Sequence, residues 1–197
     1  MDDLKRSLAT GSDMRKRQLF PATVFGRRQR LRLLQIVVLF GGYLAGLPAS
    51  LALDPIVGAT LWSPQPAVSE LRPGLAVTYD YARQVHVDDI EVLRNPVIGK
   101  PLENIAHRTI DGNVLTSTQA MLVAAHIRGL IRFDAAGTYL FRIESNDGVK
   151  AKIGGQQIWV DPEIHPNRWS APIPVVIETP GWYELWINYY QKKGTSA

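Results

Sequence analysis

The sequence predicts an all-β antiparallel sandwich preceded by a single N-terminal transmembrane helix. Three observations carry this expectation. Four stretches between residues 121 and 190 alternate apolar and polar side chains with period two, and turn residues separate them. Residues 33–53, LLQIVVLFGGYLAGLPASLAL, hold no charged side chain. Charge is also segregated along the 197 residues, whose 22 Lys and Arg against 18 Asp and Glu give a net +4. Residues 1–32 hold nine basic and three acidic side chains, a net +6, so the other 165 residues carry −2.

The first element is therefore a basic arm, 1–32, ahead of a mildly acidic body. A nucleic-acid-binding domain carries its basic face on the folded body with aromatics set into it, so no nucleic-acid partner is expected. The chain has no cysteine, which excludes a disulfide framework, a Cys-ligated zinc site, an iron–sulfur cluster and a thiol nucleophile. A composition of 46% apolar residues excludes wholesale disorder.

The second element is the span, 33–53. As a helix it reaches about 31 Å, the thickness of a bilayer's hydrocarbon core. Arginines before it and Asp54 after it fit the positive-inside rule. The expected location is a bacterial-type inner (plasma) membrane, with the N-terminus cytoplasmic and the C-terminal domain periplasmic or extracellular. A cleaved signal peptide also fits, with an apolar region from Leu33 to Leu47 and small residues at Ala49 and Ala52. The long basic arm favours an uncleaved signal-anchor. Gly42 and Gly46 form a small-xxx-small pair on which another helix could seat, so integral membrane subunits are expected partners beside the lipid bilayer. Such glycines are also common in membrane helices without that role.

Residues 54–72, with Pro55, Pro64 and Pro66 and few charges, read as an extended linker, and 73–197 as the folded domain. Along 121–133, Val123, Ala125, Ile127, Ile131 and Phe133 share one face, and His126, Arg128 and Arg132 the other. Tyr139, Phe141 and Ile143 alternate with Leu140, Arg142 and Glu144. Val149, Ala151 and Ile153 alternate with Lys150 and Lys152. Tyr183, Leu185, Ile187 and Tyr189 alternate with Glu184, Trp186, Asn188 and Tyr190. Turn signals at Gly137, Asn146-Asp147-Gly148, Gly154-Gly155 and Pro180-Gly181 punctuate these runs. Helix is scarce; Asp88 to Arg94 offers one short turn.

The stretch AAGTYLFRIESNDGVKAKIGGQQIWVD (135–161), followed by TPGWYELWINYYQKKGTSA (179–197), resembles the protective-antigen-type β-sandwich domain family. The resemblance rests on Gly137, Tyr139 and Phe141, on the Ser145-to-Gly148 turn, on Gly154-Gly155, and on Gly181, Tyr183, Tyr189, Tyr190 and Gly194. GLAVTYDYA (74–82) and HIRGLIRF (126–133) resemble earlier strands of the family, so the likeness runs over about 73–197. It implies a further strand after the small-residue turn. The chain stops at Ala197, so that strand is expected downstream in a longer protein or from a partner.

The resemblance also implies chemistry. Fungal adhesins of the family bind calcium and sugar through an adjacent Asp-Asp pair, and the matching positions here are Asn146 and Asp147. Replacing one Asp by Asn removes a negative charge on which calcium affinity depends. The same Asn-Asp-Gly is equally a tight turn needing positive φ. Independently, Trp159, Trp182, Trp186 and Tyr190 are candidate ligand-binding residues, because flat aromatics stack on sugar rings or anchor protein contacts. The competing reading has them covering the second face of the sandwich. His86, His107, His126 and His165 show no metal-ligand spacing, and no Ser lies in a nucleophile elbow. His165 stands near Asp161 and Glu163, as a metal or acid–base cluster or as solvated loop residues.

The expected function is a non-catalytic, single-pass membrane protein. Its extracytoplasmic sandwich would act as an interaction or accessory (scaffold) subunit of a larger membrane complex. The alternative is a calcium-assisted carbohydrate-binding module tethered to the membrane, with a glycan as partner.

Overall fold

A computed structural model describes residues 39–40, 53–107 and 112–192. The arm 1–32, most of the span 33–53 and the helix-packing Gly42 and Gly46 lie outside the described residues. No helix among the described residues is long and apolar enough to cross a membrane.

The strands are β1 (Leu39–Phe40), β2 (Ala76–Asp80), β3 (Val97–Ile98), β4 (Val123–Phe133), β5 (Gly137–Phe141), β6 (Glu144–Ser145), β7 (Val149–Ile153), β8 (Gln156–Asp161), β9 (Arg168–Trp169), β10 (Ile173–Ile177) and β11 (Gly181–Gln191). One sheet has the order β3-β2-β4-β11-β7-β8 and the second β1-β5-β10, with β6 and β9 pairing as a short ribbon. All these pairings are antiparallel. The fold is the expected antiparallel sandwich.

The alternation read in the sequence decides which side of each strand enters the core. Val123, Ala125 and Ile127 of β4, Val149, Ala151 and Ile153 of β7, and Tyr183, Leu185 and Tyr189 of β11 are all buried between the sheets. They meet Tyr139 and Phe141 of β5 and Ile173, Val175 and Ile177 of β10. Phe133 is the aromatic hub, with ring centroids 4.6 Å from Tyr139 and 5.5 Å from Tyr183. In β10 the residues IPVVI are buried almost throughout, so this strand has no alternation to read.

Two tight turns fix the register of β7. Gly154 and Gly155 join β7 to β8 with φ of 53° and 81°, a two-residue connection that L side chains resist. Asp147 supplies positive φ (67°) at the other end.

The segment expected to be a free linker is instead part of the sandwich. Ile56 bridges Val175, its N–H donating to the Pro174 carbonyl at 2.8 Å while its own carbonyl accepts from Val176 N–H. Thr60 N–H donates to Gly154 O, and Trp62 N–H to Trp182 O. Ile56, Ala59 and Leu61 pack on the core. The prolines kept this segment extended and out of helix, as expected. Its backbone groups found partners in the two sheets rather than in water.

Outside the core, the 3₁₀ turn Val87–Ile90 lies on the far face of the six-stranded sheet. Val87, Ile90, Ala124 and Tyr190 form a second, small buried cluster there.

Candidate functional site

Two regions hold the residues singled out in the sequence. The first is the end of the sandwich where the Asn146–Gly148 turn meets loop 161–168. Asn146 and Asp147 are both buried and face inward. Asn146 Oδ1 accepts from Gln191 Nε2 at 2.6 Å, and Asp147 Oδ2 accepts from Lys192 N–H at 2.7 Å. Asp147 N–H donates to the His165 carbonyl at 3.1 Å. These bonds lock the turn to the end of β11. Among the described residues no three His, Cys, Asp or Glu are grouped to hold a metal ion. Asn146 Oδ1 and Asp147 Oδ2 are thus engaged within the protein.

Beside the turn, Asp161 organises the loop. Arg168 donates to it bidentately, Nε to Oδ2 at 2.8 Å and Nη2 to Oδ1. The Asp161 carboxylate holds the Arg168 guanidinium above its ordinary pKa through the hydrogen bonds it accepts. His165 is buried, with Nδ1 2.8 Å from the Pro166 carbonyl and Nε2 3.1 Å from Asp161 Oδ2. The Asp161–His165 pair read in the sequence does come together, buried and not solvated, but Nε2 makes no hydrogen bond there, so the Arg168–Asp161 fork is the brace. The brace presents the ribbon of β6 and β9, in which Glu144 opposes Trp169 and Ser145 opposes Arg168. Ser170 exchanges hydrogen bonds with Ile143, its Oγ accepting from the Ile143 amide at 2.9 Å. Trp169 is left 38% exposed, the only aromatic ring among the exposed large hydrophobic residues described. The Arg142 guanidinium lies 5.1 Å from its centroid.

The second region is the outer face of the six-stranded sheet. Trp182, Trp186 and Tyr190 do point away from the main core, as the alternation predicts, but two of them are covered. Tyr190 is fully buried under the Val87–Ile90 turn, its hydroxyl donating to the Val85 carbonyl at 2.8 Å. Burial pushes its phenol well above the ordinary range. Trp182 is buried beside residues 65–68; Gln65 brackets its backbone, accepting from its N–H and donating to its carbonyl. Trp159 faces the other way and packs on the core. Trp186 alone keeps a half-buried position in the open middle of the sheet. Its cross-strand neighbours are Arg128 on β4 and Lys152 on β7. The Arg128 guanidinium lies 4.2 Å and the Lys152 ammonium 4.6 Å from the indole centroid.

Sequence reasoning did not single out Trp169 from the other tryptophans of the second half and missed Arg168, because a two-residue ribbon has no periodicity. It also missed Arg128 and Lys152 as partners of Trp186, because their proximity depends on register between strands distant in sequence. A cavity of about 80 Å³ between the sheets, lined by Phe141, Ile143, Ile153, Leu185 and Ile187, is far too small for a sugar ring.

Among solved structures, the chain is similar to the PA14 domain of the MpAFP antifreeze protein, with a TM-score of 0.51 and 15% identity over 74% of this chain and 83% of that one. It is also similar to the PA14 sugar-binding domain from an RTX adhesin, with a TM-score of 0.44 and 15% identity over 63% and 85%. No protein-family model and no curated protein matches the sequence. At this identity the first likeness establishes the fold alone: the body is a PA14-like β-sandwich, the type its motifs resemble.

Proposed function

We propose that the chain is a non-catalytic carbohydrate-binding module, tethered to a membrane by residues 33–53 and displayed outside the cytoplasm. The observation that carries the glycan reading is Trp169. It is a solvent-open ring on a braced ribbon, with the Arg142 guanidinium 5.1 Å from its centroid. A flat ring stacks on the apolar face of a sugar, and a guanidinium beside it can donate to the hydroxyls. In a glycan-array measurement on the full chain in mild detergent, Trp169→Ala should abolish binding while leaving the melting temperature within about 1 °C. Retained binding in that variant would sink the reading. The calcium-assisted form of this function predicts a rise in Tm in millimolar calcium that Asp147→Asn removes. Without that rise, Trp169 and Arg142 carry recognition alone.

The tether and its topology are part of the proposal; a span over 33–53 requires Leu39 and Phe40 to leave their pairing with β5. Because the chain has no cysteine, Thr10→Cys and Ser69→Cys each introduce a single thiol. A membrane-impermeant maleimide should label the second in intact cells and the first only after lysis. The accessory-subunit role rests on Gly42 and Gly46: replacing both by Ile should release any membrane partner that otherwise co-purifies.

A further inference from the structure

Among the described residues, Arg128 is a half-buried cation without an ion-pair partner. Its guanidinium donates to the Ile127 carbonyl at 2.9 Å, the Ile187 carbonyl at 2.7 Å and Asn188 Oδ1 at 2.7 Å. These use both Nη1 hydrogens and one on Nη2, so Nε–H and the second Nη2–H remain unengaged among the described residues. Glu184 and Glu91 act on it only at longer range, and Glu91 is itself paired with Lys150. Burial lowers its pKa to about 10. A buried charge is ordinarily paired, so this one is unusual. Lys152, the other flank of Trp186, likewise has no carboxylate partner among the described residues; its one recorded interaction is with the indole. By contrast, Lys150 is held by Asp88 and Glu91, and Arg132 by Asp134.

We propose that Arg128, Trp186 and Lys152 form a second ligand site, on the outer sheet face, for the carboxylate of an acidic sugar. The two remaining N–H groups of a guanidinium match the two oxygens of a carboxylate. Arg128 and Lys152 with Glu184 leave a local charge of +1, which suits a monoanion better than a phosphate monoester. The indole carbons beside the two cations offer apolar contact to the C–H groups of a pyranose ring. The rim of the site is set by the covered positions on either side of Trp186, Trp182 and Tyr190, which confine a ligand to the middle of β11. This site shares no residue with the Trp169 ribbon, so the two stand or fall separately.

The test uses the full chain in mild detergent, titrated with oligogalacturonate and with its methyl ester of the same length, read by tryptophan fluorescence and calorimetry. The acid should bind at least about tenfold more tightly than the ester. Lys152→Met should remove most of that difference with no change in Tm. Arg128→Lys, which keeps the charge but loses the fork, should weaken the acid selectively, whereas Trp169→Ala should leave the preference intact. Equal affinity for acid and ester, or full acid binding by Lys152→Met, overturns the proposal. So does phosphatidylglycerol-vesicle or inorganic phosphate binding that matches the acid and is lost with Lys152→Met, because the site would then read phosphate.

Discussion

His126 on β4 carries a proton-dependent part of stability. Its ring Nε2 faces the Ile90 carbonyl, which the buried Asn188 also approaches, at 3.4 Å. Burial, reinforced by the nearby Arg128, holds the imidazole below its ordinary pKa. As pH falls below about 6.5, the unfolded chain therefore takes up a proton that the folded chain refuses. Stability should fall with decreasing pH from that point, with a slope of at most about 1.4 kcal/mol per pH unit, and level off below the folded-state pKa. His126→Gln should flatten this slope in urea titrations between pH 7 and 5; an unchanged slope would remove His126 as its source. Asp147 makes a different demand. It accepts the Lys192 amide and holds a φ of 67°, so Asp147→Ala loses a buried acceptor and adds backbone strain. A loss of about 2–3 kcal/mol is expected, with Asp147→Asn much milder because its carbonyl still accepts. Equal losses in both would show that the charge, and not the acceptor, holds the turn.

β11 is the organising element, paired with β4 along its whole length and with β7 over half of it. Its outer face is divided among three coverings: residues 65–68 beside Trp182, the two cations at Trp186, and the Val87–Ile90 turn over Tyr190. The turn into β7 is fitted to this arrangement. A Cβ at Gly148 would lie 2.2 Å from Tyr190 Cε1 and 2.7 Å from the Pro162 carbonyl oxygen. Gly148→Ala should therefore force the ring, the 161–168 loop or both to move, at about 2–3 kcal/mol. In a thermal melt Gly148→Ala should lie well below wild type, whereas Gly137→Ala, which meets no neighbour, carries only a backbone-strain cost at φ 152°. A neutral Gly148→Ala would contradict the packing of the Tyr190 ring. The periodicity of β4, β5, β7 and β11 was legible in the sequence because each alternates residue by residue. β10 was not, since burial on both faces erases that signal, and neither was the β6–β9 ribbon, whose strands are two residues long.

For the molecule as a whole, the packing of residues 54–62 has two consequences. The strap 54–62 belongs to the folding unit, so a chain starting at residue 73 loses Ile56, Ala59 and Leu61 from the core and the bonds to Pro174, Gly154 and Trp182. Leu61→Asp should reproduce much of that loss, about 2–4 kcal/mol, by placing a carboxylate against the core. Cooperative melting of a 73–197 fragment at the full-length Tm would show the strap to be dispensable. The second consequence concerns the proposed tether. If residues 33–53 span a bilayer, Ile56 is engaged by β10 three residues later, leaving no slack. The sandwich would then sit against the membrane in a set orientation and would not swing on a linker.

By itself the sequence determined the class of the fold, the faces of the four alternating strands, the segregation of positive charge into the first 32 residues, and the outward direction of Trp182, Trp186 and Tyr190. Those are properties of neighbours along the chain, where a period of two is enough. Only the tertiary structure decided which of those aromatics meets solvent, that Asn146 and Asp147 turn inward to Gln191 and Lys192, and that a proline-rich stretch read as a linker is a strap across the sandwich. Each of these depends on a partner far away in sequence: Gln65 at Trp182, Val85 at Tyr190, Lys192 at Asp147, Val175 at Ile56. Strand register and loop coverage bring such partners together, and local alternation carries no trace of either.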